Sequence, residues 1–243
     1  MKMLNFAKRN TKEILRDPLN LFFGIGFPLV LILLLSAIQA NVPVSLFEIQ
    51  QLTPGVTVFG LAFMSLFSAT IIAKDRSSSL LQRLYTTPLT SIDFILGYAL
   101  PMIPIAIAQS AICYIVALFL GLELSINILL AILLIIPVSI FYISLGLLCG
   151  SVLNDKQVGG ICGALLTNLS AWLSGVWFDL ELVGGAFKKI SYALPFVHAV
   201  EMERAALNGN FNDILPHFII VFAYCIVTVV IAIILFCRQM NKQ

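Results

Sequence analysis

Six stretches of this chain contain no Asp, Glu, Lys or Arg: Pro18–Phe47, Ile49–Ala73, Phe94–Leu122, Leu124–Asn154, Gln157–Phe178 and Ile214–Cys237. Each exceeds the roughly 20 residues a helix needs to cross the hydrocarbon core of a bilayer. A backbone in lipid must satisfy its own N–H and C=O groups, which leaves helices and closed barrels. Strand-type alternation is absent, so a barrel is not expected. The chain is 11% charged, against about 25% in a soluble domain. The expected fold is therefore an all-α integral membrane protein, one domain over residues 1–243. It comprises an amphipathic arm at 1–17, six transmembrane helices within 18–238 and a polar tail at 239–243.

An even number of spans returns both termini to one side, and basic residues mark the cytoplasmic side. Lys2, Lys8, Arg9, Lys12 and Arg16 lie in the arm, and Lys74, Arg76 and Arg83 between helices two and three. Lys156 lies between helices four and five, and Arg238 and Lys242 at the C-terminal end. Eleven of the fourteen basic residues thus share a face, while Lys188, Lys189 and Arg204 fall on the other beside seven acids. A multi-pass plasma-membrane protein with cytoplasmic termini is expected. A signal peptide ending near "AIQAN" is the competing reading of the start. The basic arm is long and the apolar run exceeds a signal core, so the segment is expected to remain as helix one.

Several local signals set element boundaries. In the arm, Leu4, Ala7, Ile14 and Leu15 can share a face against lipid while the cations face headgroups. Asp17-Pro18 and Thr53-Pro54 read as cap and first-turn pairs for helices one and two. Thr90 with Asp93 resembles a capping box for helix three. Pro101 and Pro104 are expected to bend that helix, and Pro137 the next. Cys113, Cys149, Cys162, Cys225 and Cys237 all fall in apolar runs without metal-ligand spacing, so neither a disulfide nor a metal site is expected.

The segment 73–97, "AKDRSSSLLQRLYTTPLTSIDFILG", interrupts two apolar stretches with five charged residues. Leu80, Leu81, Leu84 and Tyr85 form one helical stripe, flanked by Arg76 and Arg83, and Pro88 ends it. Such a helix can lie on the lipid surface or insert into a groove on another protein. Because it is tied to a span at each end, rotating it must move both.

"DRSSSLLQRLYTTPLTSIDFILG" resembles the segment between helices two and three of ABC-2 type transporter permeases, with their "LxRLxxxP" core. "LSGVWFDLELVGGAFKKISYALPFVHAVEMERAAL" resembles the family's "SG" motif, its external amphipathic or re-entrant segment between helices five and six, and its "LP…HA…R" stretch. Asp179 departs from the family, where many members carry proline after the aromatic. The resemblance covers nearly the whole chain. It implies a permease that works as a dimer, of itself or with a paralogous permease, above two separate ATPase subunits. Arg76, Leu80, Leu81, Arg83, Leu84 and Tyr85 then become a coupling helix that contacts the ATPase, with the arm as a second support. No "GxxxxGK[ST]" loop occurs; "GGICGALLT" lacks the lysine. ATP and Mg are thus expected on the partner ATPase, with no cofactor on this chain and no nucleic-acid partner.

Other candidate sites follow from spacing. Gly159, Gly163, Thr167, Ala171 and Gly175 recur every four residues on helix five, a small-residue stripe of the kind that lets backbones pack closely. The partner is either a helix of the same subunit or, with the family's geometry, a second copy across a dimer seam. Gly146 and Gly150 read as contacts within the subunit. Asn168 reads as a hydrogen bond to a neighbouring helix or a substrate contact. Phe59, Phe63 and Phe67 form an aromatic stripe on helix two, facing lipid or lining a pathway. On the outer segment, His198, Glu201 and Arg204 share an arc opposite an apolar face that Glu203 interrupts, and the family places an outer gate there. A catalytic role for His198 and Glu201 lacks a nucleophile.

The expected function is the membrane subunit of an ATP-driven exporter for a drug, antimicrobial peptide or other amphiphile. An ion-coupled carrier or channel is the alternative; it needs acidic or basic groups within the spans, and the six runs hold only His217.

Overall fold

The computed structural model describes residues 2–42, 47–78 and 89–240. All regular structure among them is helical. Helix α1 covers Lys2–Leu15. Helix α2 follows in three continuous pieces, Pro18–Leu21, a wider π-wound Phe22–Gly26, and Phe27–Asn41. Asp17 caps it as expected, accepting from the Asn20 amide at 3.2 Å. Helix α3 spans Ile49–Ser77. It begins a turn before the expected Thr53-Pro54 start, and Pro54 sits inside its early turns.

Helix α4 is broken where the prolines stand, into Ser91–Ala99 and Met102–Phe119. Its start carries the expected capping box: Thr90 Oγ1 accepts from the Asp93 amide at 3.3 Å, and Asp93 accepts from the Thr90 amide at 2.9 Å. Helix α5, Asn127–Val152, stays helical through Pro137. Helix α6 runs through Asp155–Val158, a π-wound Gly159–Leu166, and Thr167–Leu173. Three shorter elements follow, α7 at Leu180–Val183, α8 at Gly185–Ala193 and α9 at Pro195–Leu207, and then the long α10 at Phe211–Met240.

Five helical stretches among the described residues are long and apolar enough to cross a membrane: Pro18–Gln39, Ile49–Ser77, Ser91–Phe119, Asn127–Val152 and Phe211–Gln239. The protein is thus multi-pass. The stretch expected as the fifth of six spans, α6, is not among these five. It ends at Leu173, short of the turn where Gly175 adopts φ +69°, and Thr167, Asn168 and Ser170 dilute its apolar character.

Burial orders the bundle. In α3, 89% of the most apolar 18-residue stretch is buried, against 22% in α2 and 17% in α10. So α3 is the central post, α5 lies closest to it, and α10 packs outside α5 and α9. The α3–α5 approach is close because Gly146 and Gly150 lack side chains. A Cβ on Gly146 would lie 2.4 Å from the Ser65 carbonyl oxygen, and one on Gly150 would lie 2.8 Å from that of Ala69. Both glycines thus serve packing within the subunit, as read from the sequence.

Candidate functional site

The residues entering the 79–88 insert are held on three sides. Helix α1 docks through Phe6, Ala7, Asn10 and Ile14, all buried. These positions share a helical face. The face expected against lipid is thereby split: Ala7 and Ile14 turn inward, and Leu4 and Leu15 stay exposed. Phe6 meets Phe94 and Tyr98 edge-on at 5.6 and 4.9 Å. Gly97 makes room, since a Cβ there would lie 2.2 Å from the Phe6 ring. The fully buried Asn10 donates its side-chain amide to the Gly97 carbonyl at 2.9 Å.

This docking aims Arg9 at the end of α3. Its two terminal nitrogens donate to the two oxygens of Asp75 at 2.5 and 2.7 Å, a bidentate pair. The Tyr98 hydroxyl donates to the same carboxylate at 2.9 Å, which is only 2% exposed. Next along, Arg76 donates to the Ser151 and Leu153 carbonyls, which the end of α5 would otherwise leave open. On the other side, Lys74 pairs with Asp17 at 3.6 Å. Three consecutive residues, Lys74, Asp75 and Arg76, therefore tie α3 to the α1–α2 junction, to α1 with α4, and to α5. The expected stripe residues Leu80, Leu81, Arg83, Leu84 and Tyr85 lie outside the described residues.

The opposite end of the bundle is built around α9. Arg204 pairs with Glu201 at 2.8 Å and donates to the carbonyls of Gln51 at 3.3 Å and Gly175 at 3.2 Å. It thereby joins α9 to α3 and to the turn after α6. A cleft of about 410 Å³ opens there, lined by Trp177, Asp179, Tyr192, Glu201 and Arg204 among others. His198 is buried rather than open to that cleft's rim. Its Nε2 meets the Tyr192 carbonyl at 3.0 Å and its Nδ1 meets His217 Nδ1 at 2.8 Å. A carbonyl only accepts, so His198 carries a proton on Nε2, and of the two facing Nδ1 atoms one donates and the other accepts. Among the described residues no cluster of three or more His, Cys, Asp or Glu could hold a metal ion.

The small residues of α6 are not equally covered. Thr167 and Ala171 are buried in their own chain, and Gly175 lies beyond the helix. Gly163 has Leu66 within 3.4 Å of an added Cβ, whereas Gly159 and Gly160 have nothing within 4 Å. The helix is π-wound over Gly159–Leu166. This winding takes more residues per turn than an α-helix and so keeps rows spaced by four roughly in line. The small-residue row runs beside the buried row Val158, Cys162 and Ser170, and its later members are covered by the chain itself. The exposed row runs through Gly160, Ala164, Asn168 and Trp172. Asn168 donates to the Ala164 carbonyl of its own helix at 2.8 Å.

The aromatic stripe of α3 is packed inside the chain. Phe59, Phe63 and Phe67 are 7%, 6% and 1% exposed. Phe63 stacks on Phe23 at 5.9 Å and meets Phe27 at 5.8 Å, and Phe59 meets Trp177 at 5.6 Å. Phe67 fills the space over Gly24, where a Cβ would lie 2.5 Å from its ring. Phe67→Ala is expected to cost about 3–5 kcal/mol of stability, read as a fall in melting temperature of the purified protein, whereas Leu34→Ala on the exposed face of α2 should leave it nearly unchanged.

A family model for the ABC-2 type transporter matches residues 3–208. The chain belongs to the ABC-2 type transporter family. Comparison with curated proteins finds no match. The match runs from α1 to the end of α9, so both the clamp around Asp75 and the Arg204 junction are features of the family-matched region. An ABC-2 member is a transport membrane domain, and this chain supplies the membrane subunit of an ABC transporter.

In this ABC-2 chain the residue that interrupts the apolar arc of α9 is a buried acid. Glu203 is fully buried and accepts from the Tyr114 hydroxyl at 3.0 Å, while its Oε1 has no partner among the described residues. Burial pushes its carboxyl well above the usual carboxylate range, against the opposing effect of the Tyr114 hydrogen bond. The available signal was its place in line with Phe196, Ala199, Val200, Ala206 and Leu207, a charged residue in the middle of an apolar helical face.

Proposed function

We propose that this chain is the permease subunit of an ATP-driven exporter, six spans in all with α6 as the fifth, whose termini and 79–88 insert face the cytoplasm. It works as a dimer with separate ATPase subunits that bind ATP and Mg. The observation that carries this reading is the anchoring of Lys74, Asp75 and Arg76 to α1, α2, α4 and α5. An insert rooted in that way passes any rotation to most of the bundle. The apolar stripe Leu80, Leu81, Leu84 and Tyr85, with Arg83 beside it, enters a groove on the ATPase. ATP binding draws the two ATPases together, turns the two insert helices and shifts the dimer from inward to outward access.

The second copy meets the open face of α6, where Gly159, Gly160 and Gly163 allow close approach and Asn168 is exposed. The Glu201–Arg204 junction, with His198 behind it, serves as the outer gate. Phe59, Phe63 and Phe67 reach the pathway when α2 swings aside. The cargo is an amphiphile, a drug or antimicrobial peptide. Membership of the ABC-2 family favours this reading over an ion-coupled carrier.

The test is pull-down from native membranes, where a stoichiometric ATPase is expected. Leu81→Asp combined with Leu84→Asp puts two charges into an apolar contact and should weaken ATPase co-purification and ATP-driven transport by more than roughly tenfold, in a chain that still inserts. Undiminished partner binding with native transport would remove the coupling role of this helix.

A further inference from the structure

Where α4 breaks at Leu100–Pro101, a groove opens between α1, α2 and α4. Its volume is about 790 Å³, within the range of sites that hold small molecules, roughly 300–1,000 Å³. The floor is apolar: Leu21 and Ile25 come from α2, and Pro101, Pro104, Ile105 and Ala108 from the break in α4 and the turns after it. Two proline rings and an alanine leave a trough where regular helix packing would place longer side chains. The third wall is α1, which contributes Lys8 and Lys12.

These two lysines lie one helical turn apart. They also border the neighbouring polar concavity of about 740 Å³ that includes Arg16. Among the described residues neither lysine is paired with an acid, whereas Arg9 between them in sequence is engaged by Asp75 and Glu13. The structure thus places two free cations at the mouth of an apolar trough whose other walls belong to membrane spans.

We propose that this groove binds one anionic phospholipid, its phosphate held by Lys8 and Lys12 and an acyl chain lying along Ile25, Pro104 and Ala108. Charge complementarity selects the headgroup. Lysine stems cover the apolar floor while their ammonium groups reach the headgroup level. The apolar walls select a chain of lipid type, because Pro104 and Ala108 lie within a span that a soluble partner does not reach. The bound lipid holds α1 against the bundle beside Arg9, and so steadies the helix that grips Asp75.

The full-length protein, purified in a neutral detergent, is titrated with phosphatidylglycerol or phosphatidylcholine of identical chains, and bound lipid is counted by native mass spectrometry. Phosphatidylglycerol is expected to be retained roughly tenfold over phosphatidylcholine. Lys8→Gln with Lys12→Gln should bring that ratio to near one, Lys8→Arg with Lys12→Arg should keep it, and Lys188→Gln with Lys189→Gln should leave it unchanged. Ala108→Trp fills the trough and should lower retention of both lipids. Equal retention of the two lipids by the natural chain overturns the proposal. So does a preference that survives Lys8→Gln with Lys12→Gln, or phosphatidylglycerol retention undiminished by Ala108→Trp. A lipid-free dimer would assign the groove to a second copy instead and equally overturn it.

Discussion

Asp75→Ala is expected to cost about 1–3 kcal/mol of stability, because it removes the acceptor of the buried Tyr98 hydroxyl while Arg9, 36% exposed, keeps water and Glu13. The carboxylate is 2% exposed and receives three hydrogen bonds, two from Arg9 and one from Tyr98. Removing it leaves a buried hydroxyl facing a cavity. Arg9→Ala should cost more, about 3–5 kcal/mol, since the 2%-exposed carboxylate then loses its counter-charge. In the pair Arg9→Met with Asp75→Leu no buried charge is left unmatched, only the half-exposed Glu13 losing its partner, so the loss should be clearly smaller than the sum of the two single losses. Thermal unfolding of the three variants in one detergent checks this. Additive losses would mean that the pair is not a unit. If the clamp transmits ATPase motion, the double variant should fold and still transport poorly, which separates positioning from stability.

Gly146→Leu is the second large effect. A Cβ at this position would lie 2.4 Å from the Ser65 carbonyl oxygen and 2.9 Å from Ser65 Cα. These are backbone atoms of the central helix α3, and no side-chain rotation relieves the clash. Overpacking a core ordinarily costs about 1–3 kcal/mol and occasionally more, and a clash with rigid backbone belongs at the upper end or beyond it. The expected outcome is a chain that is inserted but does not assemble its bundle, seen as loss of a monodisperse peak and of cooperative melting. Gly146→Ala should already lower the melting temperature. Gly160→Ala, with nothing of its own chain within 4 Å of the added methyl, should be neutral or stabilising by up to about 1 kcal/mol for the fold of the single subunit, read on the monomer fraction, because alanine is the better helix former. Equal effects at positions 146 and 160 would contradict the packing described for α3 and α5.

These two contrasts mark where reading residues in order succeeds. Charge-free runs long enough to cross a bilayer require helices, because a backbone in hydrocarbon has no other way to satisfy its polar groups. Five such helices are present among the described residues. Local chemistry was equally direct. Asp17 caps α2, Thr90 and Asp93 form the capping box, and the prolines break α4, each effect acting over one or two turns. The family was likewise written in the insert and in the stretch after helix five, since motifs of that kind are linear.

Faces and partners were not legible in the same way. Helix α3 is apolar all round, so nothing in its pattern distinguished lipid from core, and its aromatic stripe proved to be packed against α2 and Trp177. The small-residue row of α6 is continuous in spacing, but it borders the face that packs on the chain's own helices, so Thr167 and Ala171 are buried while Gly159 is open. Glu203 found Tyr114, and Arg9 found Asp75, across 89 and 66 positions of chain. Which span stands next to which is set by the fit of surfaces distant in sequence, and in a membrane nearly every such surface is apolar. The hydropathy that places the helices in the bilayer therefore carries little information about how they face one another.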